Sequence, residues 1–150
     1  MVKDEKKQEL QNSGLIEWPV FSELVAMDED EEGFSQSLFQ TFVDQVLDTF
    51  KEIEDNLKQK NFDKVSSLGH YLKGSAAALG LVKISSQCER IQNYGHKVNF
   101  DNFVLDLGEK TPKKDTDEYW VEFINDALVK AKDGFNRSRK ALNEYFEHDF

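Results

Sequence analysis

A chain of 150 residues with 39 % hydrophobic positions is long enough to bury a core as a single domain, without disulfides or a structural metal. A formal charge of −10 excludes a general nucleic-acid binder, because neutralising phosphates takes clustered Lys and Arg, and it disfavours anionic membrane surfaces for the same reason. The lone Cys88 excludes an intrachain disulfide, and no apolar run approaches the length of a membrane span.

In chain order, residues 1–14 (MVKDEKKQELQNSG) are polar and lack apolar periodicity, so a disordered tail is expected there; they are also charged where a signal peptide would be apolar. The remainder, 15–150, is expected to be one soluble, intracellular domain. Trp18 before Pro19 opens a short helix with a face of Val20, Phe21, Leu24, Val25 and Met27, and the acidic run 28–32 with Gly33 ends it. From Phe34 to about Lys60, the residues Phe34, Leu38, Phe42, Val46, Phe50, Ile53 and Leu57 recur by fours and a three, which predicts a long amphipathic helix. A third helix runs from Phe62 to Leu79, turns Val65, Leu68, Leu72, Ser75 or Ala76, and Leu79 inward, and stops at Gly80, a residue suited to the left-handed position past a helix end. The fourth, Val82 to Val98, buries Ile84, Cys88, Ile91 and Val98. Residues 99–116 hold Gly108, Pro112 and Lys113-Lys114 and read as a connector with little regular structure. A last helix, Asp117 to Phe146, carries Trp120, Ile124, Leu128, Ala131, Phe135, Leu142 and Tyr145. No stretch alternates at period two for long enough to make a sheet. The expected fold is all-α: an antiparallel four-helix bundle with a short additional N-terminal helix.

His70 does not fit the core stripe of its helix. At 100° per residue it lies about 200° from Leu72, so it points outward. Its expected neighbours on that face are Ser66 and Ser67 one turn before, Lys73 and Gly74 one turn after, and Ala77 beyond. Glycine within a helix costs roughly 1 kcal/mol relative to alanine, so Gly74 needs a reason other than helix formation, and a missing Cβ beside an imidazole opens approach to the ring. Neutral imidazole is a nucleophile. Were it phosphorylated, the added charge and an ammonium about 5 Å away would attract by roughly 3 kcal/mol at an effective dielectric of 20, and by less where water penetrates.

The segment His70-Tyr71-Leu72-Lys73-Gly74-Ser75, followed by Gly80, resembles the histidine phosphotransfer (HPt) motif. Cys88-Glu89-Arg90-Ile91-Gln92-Asn93, and Trp18 to Met27 with the acidic residues after it, resemble the yeast-type, fungal phosphorelay intermediates in particular. The resemblance covers about Trp18 to Val98 and, more loosely, the last helix. It implies a protein without kinase activity that takes a phosphoryl group from an aspartate of a hybrid sensor histidine kinase receiver domain. The group then passes to an aspartate of a response regulator receiver domain. His70 matches the phosphorylated residue, Lys73 the charge-stabilising lysine, Gly74 the access glycine with Ser75 in local packing, and Gln92 a residue that orients the imidazole. The resemblance also implies that this chain binds no cofactor or metal, the Mg²⁺ sitting on the partner receiver domain. It further implies a monomer with no nucleic-acid or membrane partner, placed in the cytoplasm and also in the nucleus. Docking is expected on Trp18, Val20, Leu24, Met27 and Tyr71; for Leu38 the core is preferred. At His96, one turn beyond Gln92, the family pattern leads to an arginine, so no role in stabilising phosphohistidine carries over, and His96 is read as a helix-end residue meeting the C-terminal dipole. His148, near the last helix end, is assigned nothing.

Two rivals bound this reading. A nonphosphorylated helical adaptor that binds receiver domains has the same fold and docking face with an inert His70. A carboxylate-bridged metal enzyme is disfavoured, since Ser67, Asn93 and Tyr145 stand three residues before His70, His96 and His148, leaving no Glu-x-x-His pair. No P-loop or kinase Gly-rich loop is present.

Overall fold

The computed structural model describes residues 3–150. Six α-helices follow one another: α1 (Lys3–Asn12), α2 (Trp18–Ala26), α3 (Phe34–Lys58), α4 (Phe62–Ala78), α5 (Val82–Gly95) and α6 (Asp117–Phe146). Helices α3 to α6 form the antiparallel four-helix bundle, and short 3-10 turns occupy Met27–Glu29 and Gly108–Lys110. No helix among the described residues is long and apolar enough to cross a membrane.

Sequence signals account for most of the boundaries. Pro19 sits in the first turn of α2, where its missing N–H has no intrahelical acceptor to lose. Helix α3 starts after Gly33 in the left-handed conformation, and Asp28 of the acidic run caps it: its carboxylate accepts the Ser35 backbone N–H at 2.7 Å and the Ser35 hydroxyl at 2.5 Å. Gly80, at φ +75°, closes α4 as expected. It has a second constraint as well. The Gly80 carbonyl accepts the Glu17 N–H at 2.7 Å, and a Cβ there would stand 3.0 Å from the Glu17 carbonyl oxygen, so the chain entering α2 is fastened to the α4–α5 turn. Thr116 caps α6, its hydroxyl accepting the Tyr119 N–H, and Asp117 and Glu118 place negative charge on the first turn.

The core runs through Phe21 of α2, Phe39, Val46 and Ile53 of α3, Val65 and Leu72 of α4, Ile84, Cys88 and Ile91 of α5, and Phe123, Ile124 and Ala127 of α6. Four expectations need correction. Residues 3–12 of the expected disordered tail form α1, whose Leu10 is buried, and Leu15 and Ile16 beyond it are buried too; residues 1 and 2 lie outside the described residues. Helix α5 ends at Gly95 rather than Val98, because Lys97 takes a left-handed φ of 62° and turns the chain, leaving Val98 47 % exposed. On α3 the stripe is wider than the fours-and-three pattern: Phe39 and Val43 are buried, whereas Phe34 and Leu38 are half-buried. Tyr145 is half-buried as well.

Candidate functional site

Helices α4 and α5 meet at backbone contact, and glycines permit it. A Cβ on Gly69 would stand 2.9 Å from Ile91 Cγ2 and 3.0 Å from the Gln92 backbone nitrogen; one on Gly95 would stand 2.8 Å from Ser66 Cβ. Ser66 was expected on the face of His70, yet it is buried between the two helices, where its hydroxyl donates to the Gln92 carbonyl at 2.8 Å. Gln92 is thereby held beside Gly69, the residue before His70. Its side-chain Oε1 is buried and, among the described residues, has no hydrogen-bond partner. It therefore does not bond the His70 ring.

His70 is exposed on the outer face of α4. One turn on, Gly74 is exposed, and a Cβ built there meets nothing within 4 Å. Gly74 thus serves no helix contact, in contrast to Gly69. Lys73 and Ser75 are half-buried on either side of it, and Ala77 is exposed. Tyr71, half exposed, donates its hydroxyl to Gln45 Oε1 at 3.4 Å and joins this face to α3. Of the other residues expected to dock a partner, Met27 is 49 % exposed, while Trp18 and Leu24 are half-buried against the core and Val20 is half-buried near Gly80. Trp18 packs with its ring 5.6 Å from that of Phe21.

Several ordered groups had no sequence signal. Arg90, read only as part of a motif, is buried; its guanidinium donates to Tyr94 Oη at 3.0 Å, Asp101 at 3.1 Å, Gln87 at 2.7 Å and Asp126 at 2.9 Å. Tyr94 in turn donates to Asp101, and burial, reinforced by that carboxylate, pushes its phenol well up despite the arginine. Partners 11 and 36 residues away from Arg90 cannot be found by spacing alone. His96 caps the end of α5 and is exposed, as expected of a helix-end residue. His148 is held between Gln36 and Gln40 of α3, at 3.3 Å and 3.0 Å, with its ring against Phe150. Cys88 is fully buried, and burial pushes its thiol up to about 12.

Residues 37–128 match the Hpt domain family, more than half of the chain. The chain belongs to the Hpt family. Similar proteins include the phosphorelay intermediate protein YPD1 of Candida albicans, 50 % identical over 96 % of this chain and 99 % of that protein. YPD1 of Saccharomyces cerevisiae is 32 % identical, over 89 % and 95 % of the two chains. A co-crystal structure of Saccharomyces cerevisiae Ypd1 with the receiver domain of its downstream response regulator Ssk1 superposes with a TM-score of 0.79 at 32 % identity, covering 91 % of this chain and 97 % of that one. The Hpt match contains His70, Lys73, Gly74 and Gln92, whereas Trp18, Val20, Leu24 and Met27 precede it. The outward histidine and its clearing lie on the Hpt bundle itself, and α2 is an addition to it.

Proposed function

We propose that this protein is a phosphorelay intermediate: His70 accepts a phosphoryl group from an aspartyl phosphate on the receiver domain of a hybrid sensor histidine kinase and passes it to the aspartate of a response regulator receiver domain. The observation that carries this reading is the exposed imidazole beside Gly74, a helix glycine whose side-chain position opens on empty space. A lone pair of the His70 ring forms the N–P bond as the acyl-phosphate P–O bond breaks and its electrons leave on the aspartate; the ring keeps the proton on its other nitrogen. Onward transfer is the same step with a second aspartate attacking.

Such a transfer needs alignment and charge neutralisation more than acid–base chemistry. Lys73, three residues on, neutralises charge on the phosphoryl group, and Gln92, whose unpartnered Oε1 is buried in the free protein, orients the ring once its amide turns outward. Gly74 and Ser75 leave room for the incoming domain. Mg²⁺ and the reacting carboxylate belong to the receiver, which docks over Tyr71, Met27 and the exposed edges of Trp18, Val20 and Leu24. The chain acts as a monomer, in the cytoplasm and also in the nucleus.

The test is incubation with a phosphorylated receiver domain, followed by measurement of acid-labile phosphate. Transfer is expected to the wild type, His96→Gln and His148→Gln and to vanish in His70→Gln. Retained acid-labile label in His70→Gln refutes the assignment; receiver binding without any transfer to the wild type would make the chain an adaptor.

A further inference from the structure

The connector between α5 and α6 holds a threonine followed by proline, Thr111-Pro112. We propose that Thr111 is a phosphorylation site for a proline-directed serine/threonine protein kinase. The residues are Thr111-Pro112-Lys113-Lys114, and Thr111-Pro112 is the only Thr-Pro or Ser-Pro pair in the chain, since the other proline, Pro19, follows Trp18. A kinase that prefers proline after the acceptor exploits a residue with fixed φ and no N–H to satisfy. Lys114, three residues past the hydroxyl, offers a cation to an acidic patch on the enzyme.

The local structure suits such an encounter. Protein kinases read substrates as extended chain. Thr111 is already extended at φ −62°, ψ 120°, the region to which a following proline restricts it. Residues 111–113 belong to no helix or strand, and Lys110, Lys113 and Lys114 are exposed. Thr111 itself is half-buried by a small local closure: its hydroxyl accepts the Leu107 N–H at 2.9 Å, and its N–H donates to the Gly108 carbonyl at 3.2 Å. Both bonds lie within residues 107–111, outside the four bundle helices, so opening that turn belongs to the low-cost end of local unfolding. Because the hydroxyl oxygen accepts in this closure, its proton remains free to be removed.

In the step, Thr111 Oγ1 attacks the γ-phosphorus of ATP and the bond to the β,γ-bridging oxygen breaks. ADP leaves, and the hydroxyl proton passes to the kinase's carboxylate base. The product gains a charge of about −1.5 to −2 in a segment where Lys110, Lys113 and Lys114 balance Asp106, Glu109 and Asp115, and the Leu107 N–H that the Thr111 oxygen now accepts remains beside it as a donor.

The two chemistries separate in acid, where a phosphothreonine ester survives and a phosphohistidine does not. The experiment incubates the full chain with a cyclin-dependent kinase and γ-labelled ATP, then measures acid-stable label and maps it by mass spectrometry. A Ser-Pro-x-Lys peptide confirms that the kinase is active, and a 104–116 peptide serves as the unfolded reference. Label is expected on Thr111 of the wild type and equally of His70→Gln, and is expected to disappear in Thr111→Ala. Pro112→Ala should slow labelling about tenfold or more, the discrimination a single pocket contact supplies. Three results would overturn the proposal: acid-stable label persisting in Thr111→Ala, Pro112→Ala labelling at the wild-type rate, or a labelled peptide beside an unlabelled folded chain. Loss of receiver transfer in His70→Gln bears on the relay alone, so the two readings fail separately.

Discussion

The two glycines of α4, five residues apart, give opposite predictions for the same substitution. At Gly74 a Cβ meets nothing within 4 Å, so Gly74→Ala gains only helix propensity, about 1 kcal/mol. At Gly69 it would stand 2.9 Å from Ile91 Cγ2, 3.0 Å from the Gln92 backbone nitrogen and 3.2 Å from the Cys88 carbonyl oxygen. Two of those atoms are backbone and the third is a β-branched methyl, so α4 and α5 must part; overpacking of this kind costs about 1–3 kcal/mol, and the propensity gain offsets only part of it. The Ala variants should therefore differ by roughly 2 kcal/mol in stability, or about 4–8 °C in Tm for a chain this size, with Gly74→Ala the more stable. Circular dichroism melts run side by side measure this directly. Gly74→Gln adds the functional half: a good helix former, it should melt at or above the wild-type temperature, yet its side chain projects beside His70. Transfer from a phosphorylated receiver should then fall by about a hundredfold, the cost of misplacing reactants by on the order of 1 Å. If Gly74→Ala melts as low as Gly69→Ala, or Gly74→Gln transfers at full rate, the clearing has no functional meaning.

Lys73→Ala should keep its stability to within about 0.5 kcal/mol while transfer slows by roughly five- to thirtyfold, about 1–2 kcal/mol for one half-exposed cation; stopped-flow transfer assays and melts decide it. Arg90→Met should lower stability by about 2 kcal/mol in urea titrations: removing one partner of a buried ion pair costs about 3–5 kcal/mol, but the Asp101 and Asp126 side chains, 27 % and 28 % exposed, can rehydrate. Burial raises the Asp126 carboxyl, but hydrogen bonds from Lys130 and Arg90 outweigh it and hold the group below its ordinary value. A depressed carboxylate contributes stability above the unfolded-state pKa and loses it as pH falls through the folded one. Asp126→Asn should thus flatten the stability profile below about pH 4 and leave its shape near neutrality unchanged. Cys88, with burial pushing its thiol up to about 12, should resist a disulfide reagent at pH 8 in the folded chain and react within seconds in denaturant.

Helix existence and the outward histidine were legible because both rest on periodicity within one segment. Contacts between segments were not. Ser66 and Ser67 look alike to a helical wheel built around one core direction, yet α4 packs on both α3 and α5, which widens its buried arc to take in Ser66 and Gly69. Gly69 and Gly74 are likewise indistinguishable until α5 is in place. In KDEKKQELQN the single leucine gives no stripe, and α1 becomes visible only because α6 offers Leu10 a surface. His148, at a helix end, carries no signal within its own segment, because Gln36 and Gln40 fix it from more than 100 positions away.

The sparse equipment around His70 follows from what a relay has to do. Each half-reaction is the reverse of the other, so any interaction that stabilises the phosphohistidine by about 1.4 kcal/mol makes acceptance ten times more favourable and release ten times less so. A site ringed with cations would capture the group and keep it. On the function proposed above, one lysine three residues away and an open face admit the group without trapping it. The stabilisation that the transition state still requires then has to come from outside the chain, on a surface that leaves once the group has moved. On this argument the clearing at Gly74 supplies the rate, because it lets each receiver bring its own charges to the ring, and the backbone contact of α4 with α5 supplies the precision, because it holds Gln92 beside the residue that precedes His70. One glycine opens the helix to a partner and the other closes it on a neighbour, and neither task can be moved to the other position.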